Sequence, residues 1–263
     1  LIYQTTGIRI PAQKKTLMSN RIRRRLRELA LTSFDDYYQL LQSLKPDHQE
    51  WDSFLQEITT HETYLFRDEA HWAWLQSEYL PRLAELAQTG QRPKTLRIWS
   101  AACSTGDEPF TIATCIAASL PNFGQWKIQI VGTDIGVGAL SQAQAGTFGE
   151  RAMRLVPEVY RKQFFSKSAT APSWQAKPVL TGMIKFRQHN LLQPLREPLF
   201  DLVFLKNVLI YFDPASKGRV MEGVRKAIVP GGYLIAGAAE GISDQLKEFT
   251  RIQSWLHQAP ARS

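Results

Sequence analysis

A chain of 263 residues has room for one large domain, or for two of which one is small. Its 44% apolar content and seven tryptophans suit a globular protein with a substantial core, and 21% charged residues exclude a disordered chain. A net charge of +8 favours an acidic partner, without deciding between nucleic acid, anionic lipid and protein.

Two cysteines, Cys103 and Cys115, cannot build a disulfide framework. No Cys/His cluster has zinc-ligand spacing and the five histidines are scattered, so no metal site is expected. The longest nearly unbroken apolar run, "IATCIAASL" at 112–120, is about half the length that spans a bilayer, so no membrane insertion is expected. The chain opens "LIYQ" with no hydrophobic signal segment, and the default expectation is a cytoplasmic, reducing compartment.

The first part reads as helical. In "SNRIRRRLREL" (19–29), Ile22, Leu26 and Leu29 recur at helical spacing behind Ser19 as N-cap, and five arginines cover the remaining surface. "SFDDYYQLLQSL" (33–44) starts on a capping serine. Pro46-Asp47 marks a turn, and "QEWDSFLQEIT" places Trp51, Phe54, Leu55 and Ile58 on one side of a helix. Helix is expected to continue over 68–88. The Gly and Pro of "TGQRPK" then give a boundary, so the expected organisation is an all-α unit 1–88, a linker 89–95 and a second domain 96–263.

Beyond the linker, "TLRIWSA", "WKIQIVGTDI", "MIKFRQHN", "FDLVFLKNVLIYF", "GGYLIAGAAE" and "FTRIQSWLHQ" read as strands, with helices such as "EPFTIATCIAASL" and "SKGRVMEGVRKAI" between them. This alternation predicts a doubly wound, Rossmann-like α/β domain. Residues 151–185 break it with polar, Pro-containing sequence, either as a long loop or as a small β insertion.

Ligands of such sheets bind beyond the carboxyl ends of the strands. The loop "SAACSTGDEP" (100–109) is neither G-x-G-x-x-G nor Walker A, and Asp107 and Glu108 would repel a phosphate. It reads either as a mouth for a cationic ligand or as an ordinary turn whose acids favour a helix N-terminus. Asp134, closing "VGTDI", is either a ribose ligand or a helix N-cap. Together the two acids suggest a nucleoside without phosphates, a description that S-adenosylmethionine fits.

Five motifs in order are more specific: "THETYLFRDEAHW" (60–72), "IWSAACSTGDEPFTIA" (98–113), "GTDI" (132–135), "HNLL" (189–192) and "FDLVFLKNVLIYFD" (200–213). With the basic helical region before them, the chain resembles the CheR-type chemotaxis receptor methyltransferases, which transfer methyl groups from S-adenosylmethionine to chemoreceptor glutamates. The resemblance implies S-adenosylmethionine as cofactor and S-adenosylhomocysteine as product. Thr63 and Arg67 would line the cofactor pocket, with Arg67 near the methionine carboxylate or the incoming glutamate. Glu108 would hold the cofactor's amino end, Asp134 its ribose, and Asn190 and Leu191 its adenine edge. Asn207 and Tyr211 would face the reacting centre. The same resemblance implies a monomer, recruited to receptor arrays, whose partner is the acidic helical region of a membrane chemoreceptor. Arg21, Arg24 and Arg25 would dock that region, against the plainer reading of a solvated face with local pairs such as Arg24 with Glu28.

The sequence departs from the family at two places. Lys206 stands before Asn207 where the family usually has Arg, which removes a planar fork from a cofactor-binding position. "GAAE" (237–240) replaces the usual G-H-S-E, with Ala238 and Ala239 for the polar pair. A weakened or non-catalytic S-adenosylmethionine-binding scaffold is therefore one alternative. A nucleic-acid methyltransferase is another, although the Asn/Asp-Pro-Pro-aromatic motif is missing after the fourth strand.

Overall fold

The computed structural model describes residues 2–7, 15–45, 48–58, 62–237 and 239–261; the Pro46-Asp47 turn and Ala238 lie outside the described residues. The amino-terminal part contains helices α1 (Ile2–Thr6), α2 (Lys15–Glu28), α3 (Phe34–Ser43) and α4 (Gln49–Ile58). Ser19 is not the cap of α2 but lies inside it, because the good helix formers Lys15, Leu17 and Met18 extend the helix backwards. Ser33 does cap α3, its Oγ accepting from Asp36 N at 3.0 Å. Leu26, Tyr37, Leu41, Phe54, Leu55 and Ile58 form the core of this bundle, with Ile22, Leu29 and Trp51 packed against it.

One carboxylate joins three of these helices. Glu50 is buried on α4, and Arg25 on α2 meets it with Nε–Oε1 at 2.8 Å and Nη2–Oε2 at 2.5 Å. The Tyr37 hydroxyl on α3 donates to Oε1 at 2.6 Å. Burial pushes the Glu50 carboxyl up, but the bonds from Arg25 and Tyr37 outweigh it, and the group lies below its ordinary value.

Helix α5 (Glu69–Trp74) passes through a π-turn (Leu75–Tyr79) into α6 (Leu80–Gln88). The wider turn lies where Pro81 would otherwise clash with the carbonyl four residues back, so the expected continuous helix survives its proline. Then come β1 (Thr95–Ala101), α7 (Asp107–Ser119), β2 (Lys127–Asp134) and α8 (Val137–Ala145). The interrupting segment is a subdomain: β3 (Thr147–Gly149), α9 (Glu150–Met153), α10 (Glu158–Phe164), β4 (Phe165–Lys167), β5 (Ser173–Ala176) and α11 (Pro178–Thr181). Its strands form a three-stranded antiparallel sheet in the order β3-β5-β4. The chain ends with β6 (Ile184–Gln188), β7 (Phe200–Leu205), α12 (Pro214–Ala227), β8 (Ile228–Ala236), β9 (Thr250–Arg251) and β10 (Leu256–Gln258).

The main sheet has the order β6-β2-β1-β7-β8-β10-β9, parallel except for β10 and β9, which form an antiparallel hairpin within the single run expected at 249–258. Alternate residues feed two cores. Ile98, Ile130, Leu202, Phe204 and Ile235 meet α7 and the small subdomain, while Trp99, Val131, Val203, Leu205 and Leu234 meet α12. Trp72, Trp74, Leu80 and Leu83 belong to the first of these cores, so packing does not divide at 89–94. Among the described residues no helix is long and apolar enough to cross a membrane.

Glu50→Ala leaves the buried Tyr37 hydroxyl without its acceptor and the half-buried Arg25 with Glu28 alone, so it is expected to destabilise the chain by about 2 kcal/mol in denaturant unfolding. Glu50 has a lowered folded pKa, so its contribution is present above the unfolded value, about 4.3, and is lost as pH falls through the folded value. The gap between wild type and Glu50→Ala should therefore narrow in strongly acidic buffer.

Candidate active site

Sheet register assembles the site. Ala101 at the end of β1 lies opposite Thr133 of β2 and Leu205 of β7, and Asp134 lies opposite Gln188 of β6. Strand order reverses between β1 and β7, and the crevice opens above their carboxyl ends. Two adjoining hollows of about 750 and 520 Å³ share Ala102, Ser104 and Asn207 as walls.

The backbone around the crevice is unusually bent. Phe66, Asp68, Ala102, Ser104 and Asn207 all have φ between 51° and 65°, a region that costs a non-glycine residue about 1 kcal/mol or more. In the first loop, Gly106 has φ 90°, and a Cβ there would come within 2.8 Å of Ala143 Cβ, so the turn into α7 admits only glycine.

The larger hollow contains Asp134, Asn190, Leu191, Asn207 and Tyr211. Asp134 does not cap α8. Its Oδ2 accepts from Ser104 N at 2.8 Å and its Oδ1 from Gly136 N at 2.9 Å, which orients a carboxylate that still has lone pairs for two hydroxyl donors. Asn190 Oδ1 accepts from Leu192 N at 3.0 Å and so fixes the turn after β6. Leu191 belongs both to the α12-side core and to the wall. Tyr211 is not on a strand: β7 stops at Leu205, and Leu209–Tyr211 form a 3-10 turn that bends the ring into the crevice wall.

The smaller hollow contains Thr63, Arg67, Glu108, Lys206 and Asn207. Thr63 caps no helix. Arg67 donates to the Glu62 carbonyl at 2.9 Å and lies 5.7 Å over the Tyr64 ring. The Glu108 carboxylate accepts from Ser100 Oγ at 2.7 Å and pairs with Lys206 at 3.4 Å. Lys206 Nζ is also 3.0 Å from Asp68 and 5.1 Å from the Trp72 ring, and its side chain is only 3% exposed. A point charge with three donors serves two carboxylates and an aromatic face without the planar fork of arginine. Burial pushes Asp68 up, but the Lys206 charge and hydrogen bond outweigh it, and its carboxyl lies below its ordinary value.

Among the described residues the one imidazole that lines the crevice is His189, and burial, helped by Arg187, lowers its pKa. His71, buried behind Trp72 outside both hollows, is lowered by burial and by Lys206 to about 4. Burial pushes the Cys103 thiol well up, reinforced by Asp134 and Glu108, and it stays protonated. The arrangement can align and enclose a ligand, and it offers little acid–base chemistry.

Sequence reasoning missed Glu240. It is fully buried, and its carboxylate accepts from the backbone N–H groups of Asn207 and, at 2.6 Å, Leu209. Burial raises its pKa, while the N–H groups of Asn207, Leu209, Ile210 and Val208 draw it back. This side chain holds the loop carrying Asn207 and Tyr211. The acid that ends "GAAE" was the available signal, hidden by attention to its two alanines; Ala239 is exposed. Asp68 and Trp72, which confine Lys206, were missed as well.

The arginines of α2 lie outside both hollows. Arg25 is committed to Glu50 and Glu28. Arg24 pairs with Glu57 at 2.5 Å rather than with Glu28, and Arg21 donates to the Glu57 carbonyl at 3.3 Å. Arg23, Arg24 and Arg27 are the exposed ones.

Glu240→Gln replaces an acceptor by a donor facing backbone N–H groups. The methyl transfer that the resemblance implies should fall about tenfold or more in this variant, as for a lost hydrogen bond to a charged group. Lys206→Met leaves Asp68 and Glu108 without their cation, and calorimetry should show S-adenosylmethionine binding weakened by about tenfold.

The profile of the CheR methyltransferase SAM-binding domain matches residues 61–256, and that of the CheR all-alpha domain matches residues 1–59. A chemotaxis protein methyltransferase of Klebsiella aerogenes is 34% identical over 255 residues, covering 95% of this chain and 83% of the relative. Chemotaxis protein methyltransferase 2 of Pseudomonas aeruginosa is 35% identical over 245 residues, 91% of this chain and 83% of the relative. The Escherichia coli chemotaxis protein methyltransferase is 33% identical, with 95% and 85% covered. The two matches together span nearly the whole chain, and the protein belongs to the CheR family of S-adenosylmethionine-dependent methyltransferases.

Proposed function

We propose that this methyltransferase esterifies glutamate side chains of a chemoreceptor. The observation that carries the reading is that Arg67 and Tyr211 line two adjoining hollows joined at Asn207, whose walls hold acids for a cationic nucleoside, while burial lowers the pKa of the one imidazole among the lining residues, His189. A glutamate carboxylate, with a pKa of about 4.3, is already a nucleophile at neutral pH and needs no base. S-adenosylmethionine supplies the methyl group on a sulfonium.

The chain's task is then positional. Asp134 receives the ribose hydroxyls, and Glu108, held by Ser100 and Lys206, receives the amino group. Asn190 and Leu191 bound the adenine, and Thr63 closes the side of the methionine moiety. Arg67 and Tyr211 orient the attacking carboxylate through charge-assisted hydrogen bonds, and Asn207 lies between the two hollows where the methyl group passes. Arg67 is engaged with the Glu62 carbonyl and the Tyr64 ring, which restrains it from neutralising the nucleophile fully.

Within the helical unit expected at 1–88, docking of an acidic receptor helix falls to α2. Arg24 and Arg21 lie at the end of α4 beside Glu57, next to Ile58 in the wall of the crevice. Arg25 is a structural residue, and Arg23 and Arg27 extend the basic face in its place. The domain 96–263 supplies most of the cofactor crevice, and Thr6, Ile58, Thr63, Arg67 and Trp72 complete its walls. Binding without transfer, as a scaffold, is disfavoured because every acid of the motifs is retained and Lys206 keeps its charge paired.

Incubation with labelled S-adenosylmethionine and receptor-bearing membranes should give base-labile methyl esters on glutamate; label that resists base would refute the proposal. Arg67→Ala and Tyr211→Phe should each lower kcat by about tenfold or more at saturating cofactor. Between about pH 7 and 8 the rate should be flat, because the cleft imidazole of His189 is held by burial below its ordinary value, about 6.5. Arg24→Glu with Arg27→Glu should raise KM for intact receptor and leave cofactor affinity unchanged, with the effect shrinking in high salt.

A further inference from the structure

The first described residues of the chain are found at the far end of the cofactor crevice, beside elements from the last quarter of the sequence. Thr6 is 1% exposed and lines the larger hollow together with Asp134, Asn190, Leu191 and Phe212. The Tyr3 hydroxyl donates to Asp213 Oδ2 at 2.5 Å, across 210 positions of sequence. Asp213 also caps α12, its Oδ1 accepting from Ser216 N at 2.7 Å, so α1 is tied to a rigid point. Gly7 has φ 72°, and a Cβ there would stand 3.0 Å from Leu192 Cδ1, 3.1 Å from Phe212 Cε1 and 3.2 Å from Ser216 Oγ. Three separate features thus fix one short segment against one wall: a long-range hydrogen bond, a buried side chain in the hollow, and a closely packed glycine in the left-handed region.

We infer that residues 2–7 are a cofactor-binding element that completes the nucleoside end of the crevice. The inference rests on the reading of the crevice as the S-adenosylmethionine site, and it adds Tyr3, Thr6 and Gly7 to the residues on which affinity depends. The adenosine moiety is the part they enclose, because the residues facing Thr6 across the hollow are the ribose and adenine positions rather than Glu108 and Arg67. Docking of α1 and binding of the nucleoside are then thermodynamically linked, each favouring the other by the same factor.

The test uses the full chain with S-adenosylhomocysteine and with adenosine. Tyr3→Phe removes the bond to Asp213, and Gly7→Ala places a methyl group in strained, occupied space. Each should weaken both ligands by about fivefold in calorimetry, the effect of one lost hydrogen bond. In the unmodified protein, amide exchange over residues 2–7 should slow when S-adenosylhomocysteine is added. Unchanged affinity in both variants, unchanged adenosine binding, or exchange indifferent to the ligand overturns the inference. Failure of the unmodified protein to bind S-adenosylhomocysteine overturns the cofactor site itself, and the inference with it.

Discussion

A single buried ammonium organises the chemistry of this protein. Lys206 directly follows the central strand β7, and its charge has almost no access to water, so it must be met by protein groups. Asp68 meets it from the segment before α5, Glu108 from the first turn of α7, and Trp72 from the ring above. Three distant pieces of chain are therefore held at fixed distances around one point. The left-handed backbone at Phe66, Asp68, Ala102 and Asn207 persists because this network, with Glu240 beneath the following loop, over-determines it.

Much of the fold was legible because the pattern and the physics agree. Alternation in "TLRIWSA" and "FDLVFL" sorts one residue to each of two cores; the first segment is a strand at the bounds the sequence marks, and the second ends at Leu205, short of the expected run to Phe212. Agreement fails where tertiary context decides. Ser19 has the chemistry of a cap, but helix propensity continues through it. "LIYF" has the composition of a strand, yet Glu240 collects the backbone N–H groups of Asn207 and Leu209 and turns the chain away from the sheet. Local sequence holds no trace of a bond made 33 positions later.

The site was legible in its motif residues and illegible in what supports them. Asp134, Glu108, Asn207 and Tyr211 stand at the ends of strands or in the loops that follow them, where the architecture itself points to a ligand. Glu240, Asp68 and Trp72 act on other residues rather than on a ligand, and only three-dimensional proximity reveals them. The basic helix shows the limit of reading charge by count. Of its arginines Arg25 is part of the bundle's interior bonding, a distinction that depends on Glu50, which is buried and 25 positions away.

The crevice is closed by elements far apart in the sequence, which has a consequence for synthesis. Thr6 shares the wall of the larger hollow with Tyr211 and Phe212, more than two hundred residues later, and Glu240, later still, anchors the loop that carries Asn207 and Tyr211. A nascent chain on the ribosome can fold α2–α4 early, since that bundle has its own core. The wall around the nucleoside is complete only once the chain has been made as far as Glu240, so a product that stops before this residue has the bundle core and an unsupported crevice.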